Sequence, residues 1–571
     1  MSENTRSALS CDFLVLGSGA GGLSAAVTAA HLGLKVIVAE KDAQIGGTTA
    51  WSGGWMWVPR NPLALAAGLH EEMQVPLSYL RHELGEQFDE VRATAYLAQA
   101  PHMVSFFRDH TALKFIDGNA IPDFHGRTPD AATGGRSVCA APFDGRRLGP
   151  HRALLKNPLP ETTLWGMGIA SGAELRHFMG AMRSWPSAVH VVRQVARYAL
   201  DVLRHGQGMR LVNGHALAGA LMASAVEAGV DLRVSSPAQH LWLEEGRVVG
   251  AVLQTPQGEV RVRATRGVLL ACGGFAHDRA RKRALLPHAP TGEEHYSAAA
   301  RGNTGDGLRL GESAGGLVAT DLAHAAAMAP VSLVPRRDGT LAHFPHLIER
   351  AKPGLIAVTR RGQRFTNEAD SYHDFMRGLL AALPAGELTQ AWLLCDHRFI
   401  RRYGLGAVKP APMPLSPWLG NGYLVRATTL AALADACGID APTLNATVTR
   451  YNAQAQAGVD EDFHKGETPY NRMQGDASHA GPNPCMAPLT QGPFYAVRVV
   501  AGSLGTFAGL RANAHAQVLQ ANGEPVPGLY AGGNDLSSIM GGHYPSGGIT
   551  LGPAMTFGFI AAHHAAQQPL P

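Results

Sequence analysis

Cysteine is scarce in this chain. Six occur among 571 residues (Cys11, Cys139, Cys272, Cys395, Cys437 and Cys485), and no two stand as C-x-x-C. That argues against zinc ribbons, iron–sulfur clusters and attached c-type haem, and against a disulfide framework in so long a chain. No run of about 18 apolar residues occurs, so no membrane span is expected. Blocks of like charge are missing too. Lys and Arg are scattered and the formal net charge is only +4, so no nucleic-acid partner is expected. The 26 histidines form no H-E-x-x-H, and no metal site is expected. Glycine-rich as it is, the chain has no G-X-Y period, which excludes collagen. No repeat of solenoid length is present. The first apolar run, Phe13–Leu16, passes straight into Gly17-Ser18-Gly19. That is a strand and a turn, not a signal-peptide core, and a cytoplasmic location is expected.

What the chain has is apolar residues and glycine. Hydrophobic residues make up 46% and charged residues 16%, with 67 glycines. Such a composition builds a large core and many close backbone approaches, and excludes disorder. At roughly 100–200 residues per domain, the length corresponds to two to four units. Residues 12–16 form a buried strand, LSAAVTAAHLG a small-residue helix, and residues 35–40 a second buried strand. Continuous apolar runs of this kind mark a parallel βαβ unit. Residues 117–165 are rich in Pro, Gly and Arg and are expected as ordered loops, and residues 185–205 as an amphipathic helix. The stretch 215–233 carries a helix followed by a strand, 240–254 a hairpin around Glu245-Gly246, and 268–275 a buried strand ending in a glycine pair. Residues 527–534 return to this strand-then-glycine style, and a last helix is expected over 553–566 with Pro553 at its first position.

Gly17, Gly19 and Gly22 form G-x-G-x-x-G between a strand and a helix, with Glu40 closing the next strand. Gly17 makes the turn, Gly19 lets backbone approach a pyrophosphate, and Gly22 lets helix and strand pack. The helix start at Ala20 and Gly21 offers free N–H groups to phosphate. Glu40 accepts from ribose hydroxyls, with Lys41 beside it. Dinucleotide binding is expected. A second glycine-rich stretch, residues 46–54 (GGTTAWSGG), follows closely. Gly47, Gly53 and Gly54 allow a flat ring to lie against backbone. Thr48, Thr49 and Ser52 offer hydroxyls.

Here the chain resembles the FAD-dependent dehydrogenases of the fumarate reductase and 3-ketosteroid Δ1-dehydrogenase superfamily. The matching pieces are GSGAGG, GGTTAWSGGWMW, VLLACGGF, NTGDGLRLGESAGG, RGQRFTNEADSYHDF, PGLYAGGN and YPSGGITLGPAMTFG, in the family's order. The resemblance implies non-covalent FAD. It adds Gly273, Asp306, Gly533, Asn534, Ile549 and Leu551 to the cofactor-binding residues; Asp306 has a place at the domain junction or in a structural turn as its alternatives. It also implies an α/β fold: a discontinuous Rossmann-like FAD-binding domain (residues 1–280 and 496–571) with an inserted α+β catalytic domain (281–495).

The residues over the flavin divide that superfamily. The fumarate reductase branch carries an arginine where this chain has Tyr372, and another in the segment that here reads His543-Tyr544-Pro545-Ser546-Gly547-Gly548. Recognising a dicarboxylate takes such forks. The ketosteroid branch is matched by Tyr372, Tyr544 and Gly548. Their implied roles follow the chemistry of ketone desaturation, in which one proton and one hydride leave. Tyr544 O–H and Gly548 N–H polarise the carbonyl. Tyr372 takes the α-proton, provided its surroundings lower its pKa below about 10. The hydride goes to flavin N5. One departure stands out: the ketosteroid pattern P-D-Tyr is Pro122-Asp123-Phe124 here, and Phe124 carries no proton. His125 is adjacent but on an extended strand would point the other way.

The expected activity is desaturation of a small apolar cyclic ketone, steroid or cyclohexanone-type, with an external electron acceptor. The alternatives are an ene-reductase of the fumarate or urocanate type and a non-catalytic FAD-binding scaffold. The start of the last helix is expected near the pyrimidine edge of the flavin, where its positive end favours the reduced ring.

Overall fold

A computed structural model describes residues 9–567. The chain opens with the parallel unit expected of it: strand Leu9–Leu16, helix Ala20–His31 and strand Val36–Ala39, with Phe13 opposite Val36 and Leu16 opposite Ala39. These strands are buried on both faces, which is why they read as unbroken apolar runs. They sit in an eight-stranded sheet. Its order is Gln517–Leu519, Pro525–Ala531, Gly258–Leu270, Leu9–Leu16, Val36–Ala39 and Asp231–Arg233. The hairpin Ala238–Glu244/Arg247–Thr255 is added antiparallel on Gly258–Leu270. Its turn is Glu245-Gly246, both at positive φ (49° and 77°), the geometry that matches strand twist.

Helices Ala20–His31 and Leu551–Ala566 cross in close contact against this sheet. A Cβ on Gly558 would lie 2.4 Å from the Gly21 carbonyl oxygen, so only glycine permits the approach. The last helix begins at Leu551 rather than at Pro553. Proline therefore stands at its third position, still among the four N–H groups that have no partner in the helix.

A second, seven-stranded sheet has the order Leu341–Pro345, Ala326–Pro335, Phe494–Thr506, Gln390–Asp396 and Leu355–Val358, with Tyr296–Ser297 and Val425–Ala427 also on Phe494–Thr506. The domain limit drawn at 495/496 thus falls inside a strand of this sheet. The chain returns to the first sheet only at Gln517. Trp55–Trp57, Ser137–Ala140 and Phe115–Asp117 form a separate three-stranded sheet, in that order, which contributes Trp55, Ile116 and Asp117 to the cavity lining.

Candidate active site

One cavity of about 1770 Å³ runs from the end of strand Leu9–Leu16 to the edge of the second sheet. A single small-ligand site is typically about 300–1,000 Å³, so this one has room for a dinucleotide and a second molecule.

Its first half is a backbone cradle. Gly17 has φ +106°, and a Cβ there would meet the Ala271 carbonyl oxygen at 2.2 Å. A Cβ on Gly22 would lie 2.1 Å from the Gly17 carbonyl oxygen. Gly19 is different: its Cβ would meet only Thr49 Oγ1, at 3.6 Å, and would otherwise enter the cavity. That space, open beside a helix start whose N-cap residue Gly19 has no side chain, fits a pyrophosphate. Gly47 and Gly533 likewise open onto free space.

Thr49 Oγ1 accepts from the Ala20 N–H at 2.9 Å, and Thr48 Oγ1 from Ala300 N–H and Asn303 Nδ2–H at 3.0 Å each. Both threonines keep their own O–H to donate. Ser52 does not, because its O–H goes to the Thr49 carbonyl oxygen at 2.8 Å. That hydroxyl shapes the loop instead. Glu40 is anchored by Ser18 N–H at 2.9 Å, Ser18 O–H at 2.5 Å and Asp42 N–H at 2.8 Å. A carboxylate has further lone pairs for ribose hydroxyls. Lys41 and Asp306 pair with each other at 2.6 Å.

Ala20, Gly21, Gly53, Gly54, Gly273, Asn534 and Leu551 also line the cavity; Gly22 and Ile549 pack behind it. Asp535 was not anticipated. It is fully buried and holds the glycine pair after strand Gly258–Leu270 through Cys272 and Gly274 N–H. Burial pushes its pKa up to about 6. Its signal is the acid directly after Gly533-Asn534.

The second half is aromatic. Tyr372 starts helix Tyr372–Ala382, which Ser371 caps by accepting from the Asp374 N–H at 3.1 Å. The Tyr372 and Tyr544 rings meet edge-on, 4.9 Å between centroids. Phe124 packs against both, at 5.7 and 5.8 Å. Its N–H donates to the Pro545 carbonyl oxygen at 2.9 Å. Asp123 is held by Trp57 Nε1–H at 2.9 Å and Arg136 at 2.6 Å, which fixes the turn carrying Phe124. Gly548 has φ +96°, and a Cβ there would lie 2.7 Å from Met56 backbone. Among the described residues nothing accepts from its N–H.

A fourth ring went unread in the sequence. Tyr470 lies 4.4 Å from Phe124, is 2% exposed, and lines the same cavity. Its hydroxyl accepts from Gln474 Nε2–H at 3.2 Å. The loop before Tyr372 ties it in place, since Asn471 Nδ2–H donates to Asp370 at 2.9 Å and Asn367 Nδ2–H to Asn471 at 3.0 Å.

The electrostatics correct one expectation. Burial pushes the Tyr372 hydroxyl well above 10, and the neighbouring Tyr544 and Tyr470 add to the rise. Burial also pushes Tyr544 and Tyr470 up to about 12, offset in part by the hydrogen bonds from Tyr372 and Gln474. The lowered pKa required of Tyr372 is therefore not supplied by these surroundings. His125 turns away from the cavity, to Glu83 at 2.5 Å and Asp374 at 2.7 Å. Burial opposes its charge, but those two hydrogen bonds outweigh it and raise its pKa to about 10.

The arginine of the RF-x-N-E stretch is consumed internally. Arg364 donates to Glu368 at 2.8 Å and to Asp460 at 2.8 and 3.0 Å, all buried. It offers no fork to a ligand. No helix among the described residues is long and apolar enough to cross a membrane, and no cluster of metal-ligating side chains occurs among them.

Comparison with known proteins settles the family. The family described as FAD binding domain matches residues 12–551. The chain belongs to it. It is an FAD-dependent dehydrogenase, and its cofactor is FAD. The chain is 38% identical to 4-oxocyclohex-2-ene-1-carboxylate 5-dehydrogenase of Sinomonas cyclohexanicum, over 98% of its own length and 94% of that protein. It is 37% identical to 3-oxosteroid 1-dehydrogenase of Mycobacterium tuberculosis, over 98% of each. Among solved structures it is similar to 3-ketosteroid delta1-dehydrogenase of Sterolibacterium denitrificans in complex with 1,4-androstadiene-3,17-dione: TM-score 0.90, 35% identity, 98% of this chain and 99% of that one. A flavocytochrome c3 fumarate reductase shares the fold at TM-score 0.63 and 21% identity.

Proposed function

We propose that the dehydrogenase desaturates a cyclic ketone at the carbons α and β to the carbonyl. The observation that carries this reading is that Tyr372, Tyr544 and Gly548, whose N–H has no recorded acceptor among the described residues, all line the same cavity. Tyr544 and Gly548 donate to the carbonyl oxygen, and their hydrogen bonds strengthen as charge develops there. The α-proton thereby becomes acidic and moves to the Tyr372 oxygen. Bound FAD supplies the two-electron acceptor for the β-hydride, so the ketone leaves as an enone.

Tyr372 works as a base only after giving up its own proton, which its burial resists. Tyr470 answers this. Phe124 lacks the hydroxyl of the ketosteroid pattern, and Tyr470 packs on the Phe124 ring, close enough to interact with Tyr372 electrostatically. While neutral, the Tyr470 O–H is the group we assign to donate to the ionised Tyr372 oxygen; only a negative charge on Tyr470 itself raises the Tyr372 pKa. The wall built from Trp55, Phe124, Phe344 and Met473 suits an apolar ring. An ene-reductase acting on a dicarboxylate has no free arginine fork in the RF-x-N-E stretch.

The test is anaerobic mixing of the yellow protein with 3-ketosteroids and with cyclohexanone-type ketones, including 4-oxocyclohexanecarboxylate. Bleaching of the flavin with formation of enone supports the reading and selects the ring. No bleaching by any ketone, with rapid reoxidation of reduced protein by an activated alkene, overturns it.

A further inference from the structure

Arg350 is buried in a way that the other arginines of this region are not. Arg136 sits between Glu71 and Asp123, and Arg364 between Glu368 and Asp460. Arg350 is 1% exposed and makes no ion pair among the described residues. Its guanidinium donates only to backbone: Nε–H to the His346 carbonyl oxygen at 3.0 Å, Nη1–H to Glu368 at 2.8 Å and Nη2–H to Asp370 at 3.2 Å. A guanidinium keeps its proton at any working pH. A buried cation without a carboxylate costs folding energy, and charges held in that way cluster where chemistry is done.

Its place explains the cost. The Asp370 carbonyl that it holds lies two residues before Tyr372, and its Cζ stands 5.0 Å from the ring centroid of Phe375, on the same helix as Tyr372. The cation is thus fixed behind the start of helix Tyr372–Ala382. The acids around it are engaged elsewhere: Glu368 with Arg364 and Lys465, Glu349 with His346, and Asp374 with His125. Asp370 accepts from Asn471 instead of from a cation, and burial pushes its pKa up to about 6. The charged or titratable groups that face Tyr372 are Tyr544, Tyr470 and Arg350; those that face Tyr470 are Arg350, Asp370 and Asp374. Burial raises both hydroxyls, and Arg350 works against it in both.

We propose that Arg350 is a positioning residue of the proton-abstracting site: its fixed cation stabilises the Tyr372 phenolate, and its bond to the Asp370 carbonyl holds the start of the helix that presents Tyr372. This rests on the ketone desaturation proposed above, in which Tyr372 takes the α-proton. No proton passes to Arg350. The guanidinium acts through its field, which is strong because the site is buried.

The experiment is anaerobic stopped-flow reduction of the FAD-loaded full chain by a ketone that bleaches the wild type, at saturating ketone and across pH. Arg350→Gln, Arg350→Lys and Asp370→Asn are compared, with flavin content and melting temperature recorded for each. In Arg350→Gln the rate at neutral pH falls roughly tenfold, and its rise with pH is displaced upward by about one unit. Arg350→Lys keeps the charge while losing the three-way bonding of the fork, and recovers most of that displacement. Asp370→Asn moves the rise to lower pH, because a counter-charge beside Arg350 is gone while an oxygen remains to accept from Asn471. That variant carries the test if Arg350→Gln does not hold flavin. An Arg350→Gln protein that is slowed with a wild-type pH profile overturns the proposal and leaves Arg350 as a support of the loop. So does Arg350→Lys displaced as far as Arg350→Gln, or Asp370→Asn with an unmoved profile. Wild-type protein that no ketone bleaches at any pH is a separate failure, which overturns the desaturation itself before any variant is compared.

Discussion

Replacing Tyr470 by Phe removes one oxygen and keeps the ring that packs 4.4 Å from Phe124. Within the fold the hydroxyl makes one recorded contact, from Gln474 Nε2–H at 3.2 Å. Losing it costs about 1 kcal/mol of stability, and the variant should fold and hold FAD. The catalytic loss is larger. A hydrogen bond to a charged group is worth roughly 1.5–3 kcal/mol, and under the proposed role of Tyr470 that is what the Tyr372 phenolate loses. At about 1.4 kcal/mol per tenfold, Tyr470→Phe should slow ketone reduction of the flavin roughly 10–100-fold at neutral pH. Its pH profile carries the sign. The active form is deprotonated, and burial holds Tyr372 well above 10, so the rate rises with pH in the wild type. In the variant the same rise is displaced to higher pH. Stopped-flow bleaching across pH measures both. Adding Phe124→Tyr to Tyr470→Phe restores part of the loss by returning a phenol to the neighbouring position. A Tyr470→Phe protein with wild-type rate and profile refutes the role given to Tyr470.

Further expectations concern the cradle and its supports. Gly19→Ala should fold normally yet retain FAD poorly, because its Cβ enters the cavity, whereas Gly22→Ala should lower the melting temperature itself through its 2.1 Å approach to the Gly17 carbonyl oxygen; flavin content and thermal unfolding separate the two. His125→Gln should cost roughly 3 kcal/mol near neutral pH, because Glu83 and Asp374 lose the cation between them. The native His125 pKa of about 10 lies above the unfolded value, so its contribution is complete below about pH 6.5 and disappears as pH rises through 10. Urea unfolding of both proteins at several pH values shows whether the gap closes. Acid precipitation should leave a colourless pellet and a yellow supernatant, since the cofactor is held without a covalent link; a yellow pellet contradicts that.

The parts legible in the sequence were those with local causes. Leu9–Leu16, Ala20–His31 and Val36–Ala39 announce themselves by apolar runs and three glycines, because turn, cradle and packing all lie within one short segment. Glu245-Gly246 needs positive φ at both residues, and the sequence shows it. Tyr470 gave no such signal. Its neighbours Phe124 and Tyr372 arrive from distant parts of the chain, and only the Asn367–Asn471–Asp370 latch brings them together. Whether the Tyr372 pKa is lowered is illegible for a related reason: burial of its hydroxyl is a tertiary property. The helix at 185–205 was read correctly as amphipathic, but which face turns outward depends on Tyr198 and Asp201 finding polar partners elsewhere. Ser52 stood among hydroxyls that suit a ligand, and the loop geometry took it for the Thr49 carbonyl.

The most direct test of the central claim is an anaerobic single turnover of wild-type and Tyr372→Phe protein, with a ketone that bleaches the flavin, following flavin absorbance and enone together. The account predicts one enone per flavin reduced, at a rate roughly 10²–10⁴-fold lower in the variant, with both proteins folded and equally yellow at the start. Equal rates in the two proteins, or bleaching without enone, would contradict it.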